Sequence, residues 1–332
     1  MKITKTLLFL LLFFGSTEAQ QIQIIDQYTN QEGTLRYGKG PEDFMKYDKR
    51  GFTLILPEKN QPVKGTIVML EDFPVDVKDT SKNHCIHIDK EAIPKGFAVL
   101  YIATGIPVDL YFAPSSPKYV DSVLVTVFKQ FHLPRQNIFF LGVMVSGHRA
   151  LKYVEYRKKA KTAFDADITG IVLCESAIDW IRQWYECQKQ VRDSLTAIGY
   201  GEGKFITYLF SSKLKTTPVT NIDSYIEFSP YTYFDAKMRK PKLYKDLAVR
   251  SYTYADTRYW FSAQGHGVYD SNYPDMSGLI NEEKLARNKN AELIVFHSNP
   301  EDPPSIEMRR QSTTWDLVDK EELINWMVRN SK

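Results

Sequence analysis

Cysteine is scarce: the 332 residues hold three, Cys85, Cys174 and Cys187. An odd, widely spaced set cannot supply the disulfide framework of a small secreted scaffold, so stability must come from a buried core. Cys174 ends the apolar stretch GIVLCE and reads as a small core hydrophobe. Histidine is scarce too, with six residues. Only His84 and His87 lie close together, bracketing Cys85 in NHCIHID, and no second His/Cys group accompanies them. No metal site and no other cofactor is expected from that spacing. An excess of one charge is also missing, since 43 basic residues face 40 acidic ones. That balance gives no reason to expect a nucleic-acid partner. The basic run RKKAK at 157–161 falls where a helix should end, and cations there complement the helix dipole. Beyond residue 14 no apolar stretch approaches the length of a membrane span, and no repeat or low-complexity segment interrupts the chain.

What the chain does have begins at its start. Lys2 and Lys5 precede an apolar run over 7–14, followed by GSTEA at 15–19. This is the order of a signal peptide, with a basic region, a short hydrophobic region and small residues at the cleavage site. Residues 1–19 are therefore expected to be removed, leaving 20–332 as an exported chain, periplasmic or secreted. A mature chain of this length suffices for one large domain.

Residues 137–159, NIFFLGVMVSGHRALKYVEYRKK, form the centre of the pattern. The run Ile138, Phe139, Phe140, Leu141 is what a strand buried on both faces requires. After it, Gly147, Ala150, Leu151 and Val154 fall on one helical face, with Lys152, Glu155 and Lys158 elsewhere. A strand entering a helix through a short glycine-bearing turn is the context of the nucleophile elbow, G-x-S-x-G. Two registers are open. With Gly147 as the second glycine, Val145 takes the nucleophile position and Val143 the first glycine position. With Ser146 as nucleophile, the flanking positions become Met144 and His148. Neither register holds both glycines, and the first keeps one glycine and the helical phase.

Apolar strands are predicted at 52–56, 66–70, 97–102, 138–141, 170–174, 249–254 and 292–296, and helices at 119–131, after the elbow, at 177 to about 197, and at 320–329. This alternation predicts an α/β fold with a mostly parallel, doubly wound sheet of six to eight strands. The interval from about 180 to 246 breaks the rhythm, with a turn-rich GYGEG at 199–203 and the aromatic cluster YIEFSPYTYFDAKM at 225–238. An insertion of that length predicts a helical lid over the carboxyl ends of the strands, with the aromatics as its own core.

An ordered set of segments follows the same plan: GIPVDLYFAP at 105–114, the elbow, IEFSPYTYF at 226–234, YADTRYW at 254–260, ARNKNAELI at 286–294, and STTWDLVDKEELINWM at 312–327. Over most of its length the chain resembles the α/β-hydrolase superfamily, specifically a group of secreted hydrolase-like proteins of the Bacteroidetes type. The resemblance implies a triad in the order nucleophile, acid, histidine, with the histidine just ahead of a tryptophan. Carried over by position, the acid falls on Asp256, the nucleophile position on Val145, and the histidine position on Thr313, two before Trp315. Valine has no lone pair for attack, and threonine cannot shuttle a proton at neutral pH.

Two function classes follow. One is an exported, catalytically inactive protein that keeps the fold and a lidded pocket to bind a small molecule, peptide or glycan. The other is a weak or rewired serine esterase or peptidase built from Ser146, Asp256 and His297. In that second reading His148 points away from Ser146, and His266 is a weaker substitute base than His297, which ends a strand where catalytic loops gather.

Overall fold

The computed structural model describes residues 22–30, 49–77, 87–255, 261, 265–297 and 314–332. Eight strands form one sheet: β1 Gln23–Asn30, β2 Lys49–Leu56, β3 Gly65–Glu71, β4 Phe97–Ala103, β5 Ile138–Val143, β6 Ile168–Cys174, β7 Ala248–Tyr254 and β8 Ala291–Phe296. Their spatial order is β1-β2-β4-β3-β5-β6-β7-β8. The pairs β1–β2 and β2–β4 are antiparallel, and every pair from β4 to β8 is parallel. The seven apolar runs all become strands, and β5 lies inside the sheet between β3 and β6. The strand not expected is β1, whose residues are half-buried or exposed at the sheet edge and make no apolar run. It is held by side chains as well as by the ladder, with Thr53 Oγ1 donating to Asp26 at 2.6 Å and lying 2.8 Å from the Tyr28 hydroxyl.

Helices flank the sheet: α1 Asp89–Ala92, α2 Ser115–Gln130, α3 Val145–Lys159, α4 Trp180–Asp193, α5 Ala197–Leu214, α6 Ile222–Phe228, α7 Tyr273–Leu285, α8 Thr314–Leu317 and α9 Lys320–Arg329. The strands' period of two divides their side chains between two cores. On one face Leu100, Phe140, Ile171 and Val249 pack with the apolar stripes of α2 and α3 and with Met276, Leu279 and Ile280 of α7. On the other, Val99, Phe139, Leu141 and Val172 meet Leu323, Ile324, Trp326 and Met327 of α9. Burial on both faces accounts for the unbroken apolar runs, since each such side chain contributes about 1.5–3 kcal/mol.

A third core lies above the sheet, where Leu110, Trp180, Ile181, Phe210, Tyr225 and Phe228 close around Phe112 and Val145. It is built by α4, α5 and α6, the helices between β6 and β7. The single helix expected over 177 to about 197 is in fact α4 and the start of α5. Asp179 caps α4 by accepting from the Ile181 and Arg182 N–H groups, and Ser194 ends it in a left-handed conformation. Thr196 then caps α5. The GYGEG stretch is not a turn but the first turns of α5, and its glycine serves close packing. A Cβ on Gly203 would stand 2.6 Å from the Cys187 carbonyl oxygen of α4.

One buried ion pair fastens this helical excursion to the rest. Arg182 and Asp275 have side chains 1% exposed and bond directly. Asp275 also accepts the N–H groups of Ile178 and Asp179 at 2.9 Å, while Arg182 reaches Asn272 and the Tyr269 carbonyl. Asp275→Ala strands a buried guanidinium and is expected to cost about 3–5 kcal/mol. The check is a lowered urea midpoint with an unchanged slope.

Candidate functional site

The turn from β5 to α3 carries the strain. Met144 has φ 53° and ψ −119°, a region closed to most side chains and costing of order 1–3 kcal/mol. Its N–H donates to the Cys174 carbonyl at 2.8 Å, its carbonyl accepts from Gly147 N at 3.2 Å, and its side chain is 58% exposed. Two glycines allow the turn. A Cβ on Gly142 would stand 2.2 Å from Gly147 N, and one on Gly147 would stand 2.0 Å from Ser176 Oγ. The elbow residue is therefore Met144, with Gly142 two before it and Ser146 two after.

This corrects both registers read from sequence. Val145 is the first residue of α3 and packs in the third core. Ser146 is 4% exposed, and its Oγ donates to Leu70 O at 2.8 Å and to Glu71 Oε1 at 3.0 Å. A hydroxyl turned inward onto a carbonyl and a carboxyl is not poised to attack a substrate. The signal for the true register was present in Gly142, directly after the apolar run.

Below the elbow lies a charged network. Arg149, buried on α3, pairs with Asp72 and donates to Leu70 O at 2.9 Å and Asp109 O at 2.6 Å. Asp72 in turn accepts the Val108 and Asp109 N–H groups. Burial opposes the guanidinium charge, but Asp72 and then Glu71 outweigh it and raise the Arg149 pKa. Burial pushes the Glu71 carboxyl up to about 7, against Arg149 and Ser146. His148 is also structural. Its Nε2 lies 3.0 Å from Leu110 O and its Nδ1 accepts from Trp180 Nε1 at 2.9 Å, so Nε2 carries the hydrogen. Burial pulls its pKa well below the usual histidine value.

The acid and histidine positions, Asp256 and Thr313, lie outside the described residues. Their neighbours are described. Glu175, at the end of β6, has φ 46°, and its Oε1 accepts from Tyr254 N at 2.5 Å and from Thr314 Oγ1 at 3.4 Å. It thus joins the end of β7 to the start of α8. His297 is exposed at the end of β8, three strands from β5, a span of about 14 Å at the ordinary strand spacing. His266 lies in a depression with Lys189, Asp193 and Tyr200 at the far end of α4.

Among the described residues no three His, Cys, Asp or Glu side chains are arranged to hold a metal ion. His84 and Cys85 lie outside them, and His87 Nδ1 stands 3.6 Å from Asp89. Cys174 and Cys187 are buried and are not joined in a disulfide. No described helix is long and apolar enough to cross a membrane.

Sequence reasoning missed Met144, Glu71 and Glu175. Burial first, then the Tyr254 N–H acting against it, takes the Glu175 carboxyl from 4.5 up to about 7. The folded form therefore holds a proton that the unfolded form releases, and stability falls as pH rises from about 4.5 towards 7. Glu175→Gln keeps an acceptor for Tyr254 and is expected to remove this part of the slope. Urea midpoints of the two proteins should agree near pH 4.5, with the variant the more stable at pH 8.

No protein-family model matches the chain, and no curated protein matches it in sequence. Solved structures do match in fold. Carboxyl esterase 2 from Tuber melanosporum is 11% identical with a TM-score of 0.55, over 96% of this chain and 88% of that one. A fungal esterase from Rhizomucor miehei is 11% identical with a TM-score of 0.50, over 93% and 85% of the two chains. The esterase from Pyrobaculum calidifontis is 9% identical with a TM-score of 0.50, over 93% and 86%. At such identities the likeness concerns the path of the chain alone. Taken with the strand order and the strained turn after β5, it shows that the protein has the α/β-hydrolase fold.

Proposed function

We propose that the chain is an exported, catalytically inactive α/β-hydrolase-fold protein that binds a small molecule, peptide or glycan in the crevice above the elbow. The observation that supports this reading is Met144 on the strained turn, where an active member carries its nucleophile. A thioether has no proton to give up and forms no acyl intermediate, whatever base stands beside it. Thr313 at the histidine position argues the same way from the other end of the chain. The binding role draws on what survives the loss. Val145 follows the elbow residue, and its N–H opens the fifteen-residue α3, where partial positive charge favours a carbonyl or carboxylate oxygen. Helices α4 to α6 act as the lid, with Tyr225 and Phe228 turned inward as its core and Tyr233, 75% exposed, at its surface. The first nineteen residues have the order of an export signal, placing the mature chain in the periplasm or outside the cell.

The rewired esterase built from Ser146, Asp256 and His297 finds less support, because Ser146 Oγ is committed to Leu70 and Glu71. The purified protein is expected to show no burst with activated esters and no adduct with a fluorophosphonate probe. Met144→Ser together with Thr313→His should restore measurable labelling, and either change alone should do little, since triad members act as a unit. Stoichiometric labelling of the unmodified protein, abolished by Ser146→Ala, would overturn the inactive reading. Export has its own check: N-terminal sequencing of the protein recovered from cells should begin at Gln20.

A further inference from the structure

The first turn of α3 ends on a histidine whose two ring nitrogens reach two different parts of the chain. His148 is fully buried. Its Nε2 lies 3.0 Å from Leu110 O on the segment after β4, and its Nδ1 accepts from the Trp180 indole at the start of α4 at 2.9 Å. The His148 and Trp180 rings meet edge on, 5.3 Å between centroids and 89° between planes. Phe228 of α6 packs against the imidazole from 5.3 Å, and Trp180 stacks on Phe210 of α5 at 4.5 Å. We propose that His148 is a proton-operated latch: the neutral ring fastens α4 to α3, and on taking up a proton it releases the Trp180 end of α4.

The geometry leaves no freedom in the tautomer. An indole N–H only donates and a backbone carbonyl only accepts, so the two contacts demand a hydrogen on Nε2 and a lone pair on Nδ1. The imidazolium carries hydrogen on both nitrogens. Its Nδ1–H would face the indole N–H, donor against donor. The incoming proton and the Trp180 contact thus compete for one lone pair, and only that hydrogen bond breaks when the proton from water binds.

The surrounding charges favour the neutral ring. Lys152 stands one turn further along α3 with its Nζ 4.9 Å from the Phe228 ring centroid, Arg149 adjoins His148, and Lys240 is buried on the segment after α6. Carboxylates on the same elements are engaged elsewhere: Glu155 with Lys152 and Lys240, Glu227 with Lys159, and Asp109 with the Tyr111 N–H. Asp179 holds the N–H groups of Ile181, Arg182 and Tyr233. Burial, and after it Lys152, keeps the folded His148 pKa well below 6.5.

Once released into water, the ring regains its ordinary pKa. Release therefore takes up a proton below 6.5, and its equilibrium constant rises by up to about tenfold per pH unit as pH falls. Asp179 works in the opposite sense. Burial pushes its carboxyl from 3.8 up to about 6, so acidification through that window favours closure. The latch is read as the difference between the unmodified protein and a variant that keeps Asp179. This inference rests on the contacts of His148 and does not need the proposed binding role to hold.

The test is amide hydrogen exchange of the full chain between about pH 7.5 and about pH 4.5, corrected for intrinsic rates. Amides of α4 should be less protected than those of α9, so that α4 parts from α3 short of unfolding. His148→Asn keeps an acceptor at the δ position for Trp180 and takes up no proton. Protection of α4 in the unmodified protein, relative to that variant, should fall by up to about tenfold for each pH unit below 6.5. A ratio that stays constant with pH, or α4 protection equal to that of α9 throughout, would overturn the proposal. Where His148→Asn does not fold, nitrogen-15 spectra of the unmodified protein decide. At neutral pH Nε2 should carry the hydrogen, and on acidification the Trp180 indole proton, assigned with Trp180→Phe, should lose protection as the charged ring appears. A charged His148 beside a still protected Trp180 indole, or a neutral ring with its hydrogen on Nδ1, would also overturn it.

Discussion

The approach of β5 to the first turn of α3, closer than any side chain permits, is the constraint from which the site follows. With a Cβ at Gly142 only 2.2 Å from Gly147 N, the chain can reverse into the helix only through bare backbone. The residue between must then take the strained conformation found at Met144. A cost of that kind persists where surrounding structure overdetermines it, and here the surroundings are two parallel neighbours and a fifteen-residue helix. The architecture that elsewhere lifts a nucleophile here carries a methionine. Its geometry is specified by glycines and sheet pairing, not by the side chain it displays.

Buried charge does a related job around the elbow. Arg149 gathers the end of β3 and the 105–112 segment onto α3, while Arg182 and Asp275 gather α4 onto α7. In neither case is net stabilisation the obvious gain, since removing ions from water costs nearly what their pairing returns. What such groups add is definition. A guanidinium with three fixed acceptors tolerates one arrangement of the loops that supply them.

How much of this could be read from sequence depended on whether the signal was local. β5 was legible because burial on both faces demands an unbroken apolar run, and α9 because its caps and stripe coincide at 320–329. β1 was not, because an edge strand with no fully buried position needs no apolar run. GYGEG reads as a turn from sequence, whereas Gly203 serves a helix crossing, a distinction that depends on Cys187 of another helix. The sequence puts the elbow one residue late when anchored on Gly147 and two late when anchored on the serine, while the governing contact belongs to Gly142. Glu71 and Glu175 are titrating groups only through the burial that the sheet edge imposes. No spacing in the sequence encodes that.

The crossing at Gly203 has a mechanical consequence. At this crossing Gly203 lies directly against the Cys187 carbonyl, so α4 and α5 meet there with no side chain between their backbones. Any displacement of this helix pair must then bend the chain where the pair joins its supports. Those joints are the Glu175–Asp179 approach, with its left-handed first residue, and the stretch after Lys215, left-handed as well. The first precedes α4 and the second separates α5 from α6, so the pair is bounded by two short left-handed backbone turns.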